Sequence, residues 1–115
     1  MQKSLKYDVE ISFSQINDQL MSQLMLLEPY GLGNPKPVFR TRECVVEDIR
    51  YLKQDKHVKL KVSQENIKKE AIFFRISDRV KDTLRKKKKI DMLYCLQENE
   101  WNGNKALQLV ILDIF

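Results

Sequence analysis

All three prolines of this 115-residue chain and two of its three glycines fall within residues 27–39, and no other stretch constrains the fold as much. Pro29 forces Glu28 into extended geometry and so ends any helix running into it. Gly31 and Gly33 permit positive φ, and Asn34-Pro35 and Lys36-Pro37 are two further non-helical dipeptides. The apolar flanks Leu26, Leu27, Val38 and Phe39 can dock the segment on a core, which makes it a rigid connector rather than a floppy linker. The chain divides there into a lead-in, residues 1–37, and a strand-rich body, residues 38–115. These glycines do not form a phosphate loop, because prolines follow them and no helix begins close behind.

In the lead-in, alternation over residues 6–11 predicts a short strand with Tyr7, Val9 and Ile11 on one face. A helix should follow, opened by a Ser12–Gln15 capping box and buried along Ile16, Leu20, Leu24 and Leu27, with Met21 and Met25 widening the stripe.

Beyond Phe39 the apolar period becomes two. Five strands are expected, over residues 42–52, 57–63, 67–76, 90–97 and 106–114, the first long enough to need a bulge near Glu47-Asp48. Turns belong at residues 54–56, at Glu65-Asn66 and at Asn102-Gly103, the last a strong hairpin signal because both residues tolerate positive φ. A helix between the third and fourth strands is capped by Ser77 or Asp78, with Val80 and Leu84 inward and Arg85 to Lys89 at its negative dipole end. Five strands with one helix after the third is the order of an OB-fold, so the expected class is a mainly β Greek-key barrel preceded by a short strand and helix.

A hydrophobic content of 43% suits one compact domain. There is no apolar run long enough for a membrane span and no signal-peptide core, so a cytoplasmic location is expected. Cys44 and Cys95 stand alone without ligand spacing, which argues for free thiols rather than a metal site. A single histidine, no Ser or Cys with His and acid neighbours, and no paired acidic motif leave no catalytic constellation to assign.

Charge is the stronger signal. Residues 50–89 hold 15 Lys and Arg against 5 Asp and Glu, while the rest of the chain holds 6 against 11. A local cationic patch raises polyanion affinity through counterion release. An OB-fold holds single strands across its second and third strands and the bordering loops, which selects Lys59 and Lys61 on the second strand with His57 at its start. Lys53 and Lys56 join them from the first loop, and Arg75 from the end of the third strand. Tyr51 and Trp101 are the candidate stacking groups, Trp101 alternatively a plug over the barrel mouth. One of Phe73 and Phe74 must be core, leaving only the other for stacking. The run Lys86 to Lys89 reads as a solvated helix end.

Residues 27–39 resemble the Leu-Glu-Pro-aromatic-Gly-x-Gly-Asn-Pro-x-Pro-x-Phe junction of the bacterial RecJ single-strand-specific exonucleases. Asn99-Glu100-Trp101-Asn102-Gly103 with Leu107-Gln108-Leu109 and Asp113-Ile114 resembles a second family segment, and residues 57–60 and 71–74 look like family positions between them. The resemblance implies an OB domain that helps hold single-stranded DNA, preceded by the tail of the family's associated domain. Hydrolysis would belong to other domains of a parent exonuclease, using a divalent metal, Mn or Mg. The metal motif and the Gly-Gly-His signature of those domains are absent here, so no catalytic residue, metal ligand or cofactor is carried over to this chain. The implied partners are single-stranded DNA, the parent's remaining domains and repair proteins, with no membrane. A scaffolding or protein-interaction domain is the alternative.

Overall fold

The computed structural model describes residues 7–27 and 36–115; residues 28–35, and with them the rigid-connector reading, lie outside the described residues. The elements are β1 (Val9–Glu10), a 3-10 turn (Phe13–Gln15), α1 (Asp18–Met25), β2 (Phe39–Leu52), β3 (His57–Gln64), β4 (Ile67–Phe73), α2 (Asp78–Lys86), β5 (Lys89–Trp101) and β6 (Asn104–Ile114). Strand neighbours run β1-β2-β3-β4-β6-β5, and β5 returns to β2 to close a five-stranded barrel. Within the barrel only β4 and β6 are parallel. This is the expected OB-fold, with its helix between the third and fourth barrel strands.

The 14-residue β2 serves two barrel partners, β3 and β5, because it bends twice. Its pairing with β3 slips between Val46 and Asp48, where a bulge was expected. Its pairing with β5 slips between Thr41 and Cys44, where Glu43 has a φ of 54°. Inward residues such as Val58, Leu60, Val62, Met92 and Leu109 fill the barrel, each burial stabilising by about 1.5–3 kcal/mol. α2 adds Val80 and Leu84 to the same core, and the Ser77 Oγ accepts from the Val80 N–H at 3.2 Å to cap it.

Several element ends differ from the sequence reading. β4 stops at Phe73 rather than residue 76 because Arg75 adopts a φ of 54°. β5 and β6 continue past their apolar alternation to Trp101 and Asn104, since a two-residue turn with φ of 51° at Asn102 and 78° at Gly103 keeps their ladder in register. In the lead-in, β1 is only two residues long and pairs parallel to β2, with Tyr7 and Val9 exposed and Ile11 buried. The Gln15 Oε1 does accept from the Ser12 N–H, at 2.8 Å, but the element they open is the single 3-10 turn. Ile16 is extended, and α1 starts afresh at Asn17, whose Oδ1 accepts from the Leu20 N–H at 2.9 Å. Ile16 and Leu24 are buried and Leu20 and Met21 pack beside them, whereas Leu27 is exposed. Ile11, Phe13, Ile16 and Leu24 belong to one hydrophobic cluster with the barrel interior, so residues on both sides of position 38 share a core.

Candidate nucleic-acid interface

Alternation along β3 buries Val58, Leu60 and Val62 and leaves Lys59 and Lys61 on the outer surface. Across the ladder, Arg50 lies opposite Lys59 and Asp48 opposite Lys61 on β2, while Ile72 and Glu70 take those places on β4. A depression of about 140 Å³ runs between them, lined by Asp48, Arg50, Lys59, Lys61, Glu70 and Gln108. Arg50, Asp48 and Glu70 are members of this surface that sequence reasoning missed. The signal lay in the bulge, which inverts the alternation of β2 after Glu47 and brings Asp48 and Arg50 to the lysine side.

The β2–β3 turn forms the end of this face. Lys53, Gln54 and Asp55 all have positive φ, of 53°, 56° and 66°, and Lys53 and Lys56 are exposed. The Lys56 carbonyl accepts from the Ile76 N–H at 2.9 Å, and the His57 Nδ1 accepts from the Arg75 N–H at 3.0 Å. These two bonds tie the chain after β4 to the turn and hold Arg75 in left-handed geometry, at a cost of roughly 1–2 kcal/mol for a residue with a Cβ. Phe73 is the core member of its pair; Phe74 is 49% exposed, with its ring T-shaped to His57 at 5.2 Å.

The structure therefore gathers Lys53, Lys56, His57, Lys59, Lys61 and Arg75 on one face and its end. It does not bring Tyr51 to that face. Tyr51 pairs with the inward Val58, so it sits on the barrel-mouth side of β2, 39% exposed. The Trp101 backbone lies at the hairpin that begins β6. β6 runs parallel to β4, so this hairpin is at the end of the face away from Phe73 and the 53–56 turn.

Arg40, Arg42, Arg79, Arg85, Lys86 and Lys105 are engaged by carboxylates. Among the described residues no carboxylate lies within ion-pair distance of Arg50, Lys53, Lys56, Lys59, Lys61 or Arg75, and the same holds for Lys68, Lys69, Lys81 and Lys87 to Lys89. Nucleophilic chemistry has no support in the thiols: burial, with a smaller push from Asp91, raises Cys44 to about 12, and burial also raises Cys95. Among the described residues no group of three or more His, Cys, Asp or Glu side chains can hold a metal, and no helix is long and apolar enough to cross a membrane.

A closed five-stranded barrel with a cationic outer face on β2 and β3 defines an OB-fold domain. The family is equally definite: the chain belongs to the RecJ OB domain family, whose model matches residues 7–113. It is 27% identical over 107 residues to the single-stranded-DNA-specific exonuclease RecJ of Bacillus subtilis, covering 92% of this chain and 14% of that protein. It is 28% identical over 96 residues to the enzyme of the same name from Thermus thermophilus, covering 84% and 13%. The crystal structure of Thermus thermophilus RecJ in complex with Mn2+ superposes with a TM-score of 0.65 at 28% identity, over 84% of this chain and 13% of that one. Its complex with Mg2+ gives 0.64 at 27% identity, over 84% and 14%. The chain thus spans about a seventh of the length of these relatives. The resemblance carried by residues 27–39 and the Trp101 hairpin holds at the level of family.

Proposed function

We propose that this chain is the single-stranded-DNA-binding OB domain of a RecJ-like exonuclease, acting in bacterial DNA repair and recombination in the cytoplasm and holding the strand without cutting it. One observation carries this reading: in a member of the RecJ OB family, six cations on and beside the β2–β3 face have no carboxylate partner among the described residues. Unpaired, exposed ammonium and guanidinium groups can trade condensed counterions for phosphates, and strand tracking by charge is indifferent to sequence. Hydrolysis and its Mn or Mg ion belong, in this reading, to domains of the parent enzyme outside this chain. Asp48 and Glu70 beside Lys61 keep the affinity of the isolated domain low.

Titration of a labelled single-stranded oligonucleotide at two salt concentrations tests the proposal. Binding should be weak and sequence-independent, with log K falling against log salt by about 0.7 for each phosphate neutralised. Absence of binding at low salt would falsify it.

A second reading has its own support in the lead-in, where Met25, Leu26 and Leu27 are exposed, Leu26 by 84%. In that reading residues 1–37, as the tail of the preceding associated domain, brace the barrel against the parent's other domains or a repair protein. Cross-links in the full-length enzyme that join α1 to protein, with none joining β3 to DNA, would favour it.

A further inference from the structure

Beside its cations, the outer surface of the sheet turns apolar. Phe73 and Ile111 face the core, so the residues that alternate with them, Ile72, Val110 and Leu112, lie on the outer side, where Ile72 is buried, Val110 is half-buried and Leu112 is 38% exposed. Phe74 continues this strip at the end where it meets His57 and the lysine turn. A cationic strip on β2 and β3 that meets an apolar patch at the Phe74 end of β4 and the adjoining part of β6 complements a polymer with anions along one side and unshielded aromatic faces along the other. Single-stranded nucleic acid has that form, whereas a duplex hides its base faces in the stack.

Phe74 also has the rigidity that a stacking platform needs. The backbone that follows it is pinned twice, by the Arg75 N–H on the His57 Nδ1 and by the Ile76 N–H on the Lys56 carbonyl, and the His57 ring contacts it in a T-shape. A large exposed aromatic on a segment held in left-handed geometry marks a preorganised contact. We propose that Phe74 is the base-stacking platform of this face, with His57 as the residue that positions it. The proposal rests on the DNA-binding reading and adds that affinity has a component from bases as well as from phosphates.

The test compares binding of the 115-residue chain to oligothymidylate and to an abasic oligomer of equal length and charge. The unaltered chain should prefer oligothymidylate by about tenfold. Phe74→Ala should abolish that preference while leaving the abasic affinity and the salt slope unchanged. Phe74→Tyr should retain it, and Phe74→Leu, which keeps an apolar side chain without a π face, should lose it. His57→Ala should lower the preference without removing it. If the unaltered chain binds both oligomers equally, or Phe74→Ala or Phe74→Leu keeps the preference, the stacking role is overturned while strand binding by charge stands. If it binds neither oligomer, both readings fall.

Discussion

The seam where the lead-in meets the barrel and the outer face of β2 and β3 use the same kinds of residue to opposite ends. At the seam polar groups are tied to protein partners. The Thr41 hydroxyl donates to the Ile11 carbonyl at 2.8 Å, which leaves the Tyr94 hydroxyl to donate to Thr41 at 2.7 Å. The Gln64 carboxamide accepts from the Phe13 N–H at 2.7 Å and donates to the Arg42 carbonyl at 2.8 Å, while Asp8 accepts from the Val38 N–H at 2.7 Å. Glu10 and Asp91 hold Arg40 and Arg42 there. On the face, Lys59, Lys61 and Arg50 are left to solvent. The comparison teaches that the charges of the seam are committed to holding the chain together, whereas those of the face are free to meet a ligand.

Stability should separate the two regions. Phe13→Ala should cost about 3–5 kcal/mol in a denaturant titration, because Phe13 is buried in the common core. An unchanged midpoint would make the lead-in an appendage and erase the contrast. Thr41→Val strands the Ile11 carbonyl and the Tyr94 hydroxyl, and should lower the midpoint by about 1–3 kcal/mol.

The seam should also weaken at high pH. Burial raises Cys44 from 9.0 to about 12, so its neutral form favours the folded state below pH 9, and this advantage is lost as pH rises toward 12. Tyr94 is raised by burial too, with Thr41 offsetting part of the effect, and acts in the same direction. Unfolding titrations at pH 9 and 10 should differ by about 1 kcal/mol from Cys44, and Cys44→Ala should flatten the difference. A drop that survives unaltered in Cys44→Ala would remove the thiol from the explanation.

The smallest stability effect belongs to the face. Lys59→Glu with Lys61→Glu should move the unfolding midpoint by less than about 0.5 kcal/mol per site, while reducing both oligonucleotide affinity and the salt slope. Normal binding by this double variant would detach the β3 face from DNA.

The barrel was readable in the sequence because its inward residues keep period two and its turns carry strong local chemistry, as at Asn102-Gly103. The lead-in was read less well. Its helical stripe is continuous from Ile16, but Asn17 is the better cap, and the helix begins there. On the site, Lys59 and Lys61 followed from alternation alone, since β3 has no bulge. Arg50 and the facing of Tyr51 required the register of β2 beyond its slip, which depends on pairing with β3 rather than on local sequence. Phe74 could be separated from Phe73 only by the ladder that turns Phe73 toward Val58.

Closure of the barrel has a consequence for synthesis. β2 finds its second partner only when Phe39 meets Tyr94 and Val45 meets Lys89, and β4 waits for β6 through Ala71 and Leu109. These pairings are long-range, and they come after the local β2–β3–β4 meander in order of translation. On the ribosome the nascent meander therefore lacks the β5–β6 side of its barrel until those strands have emerged from the exit tunnel. A force-sensitive arrest assay should register folding only after residue 114 has cleared the tunnel.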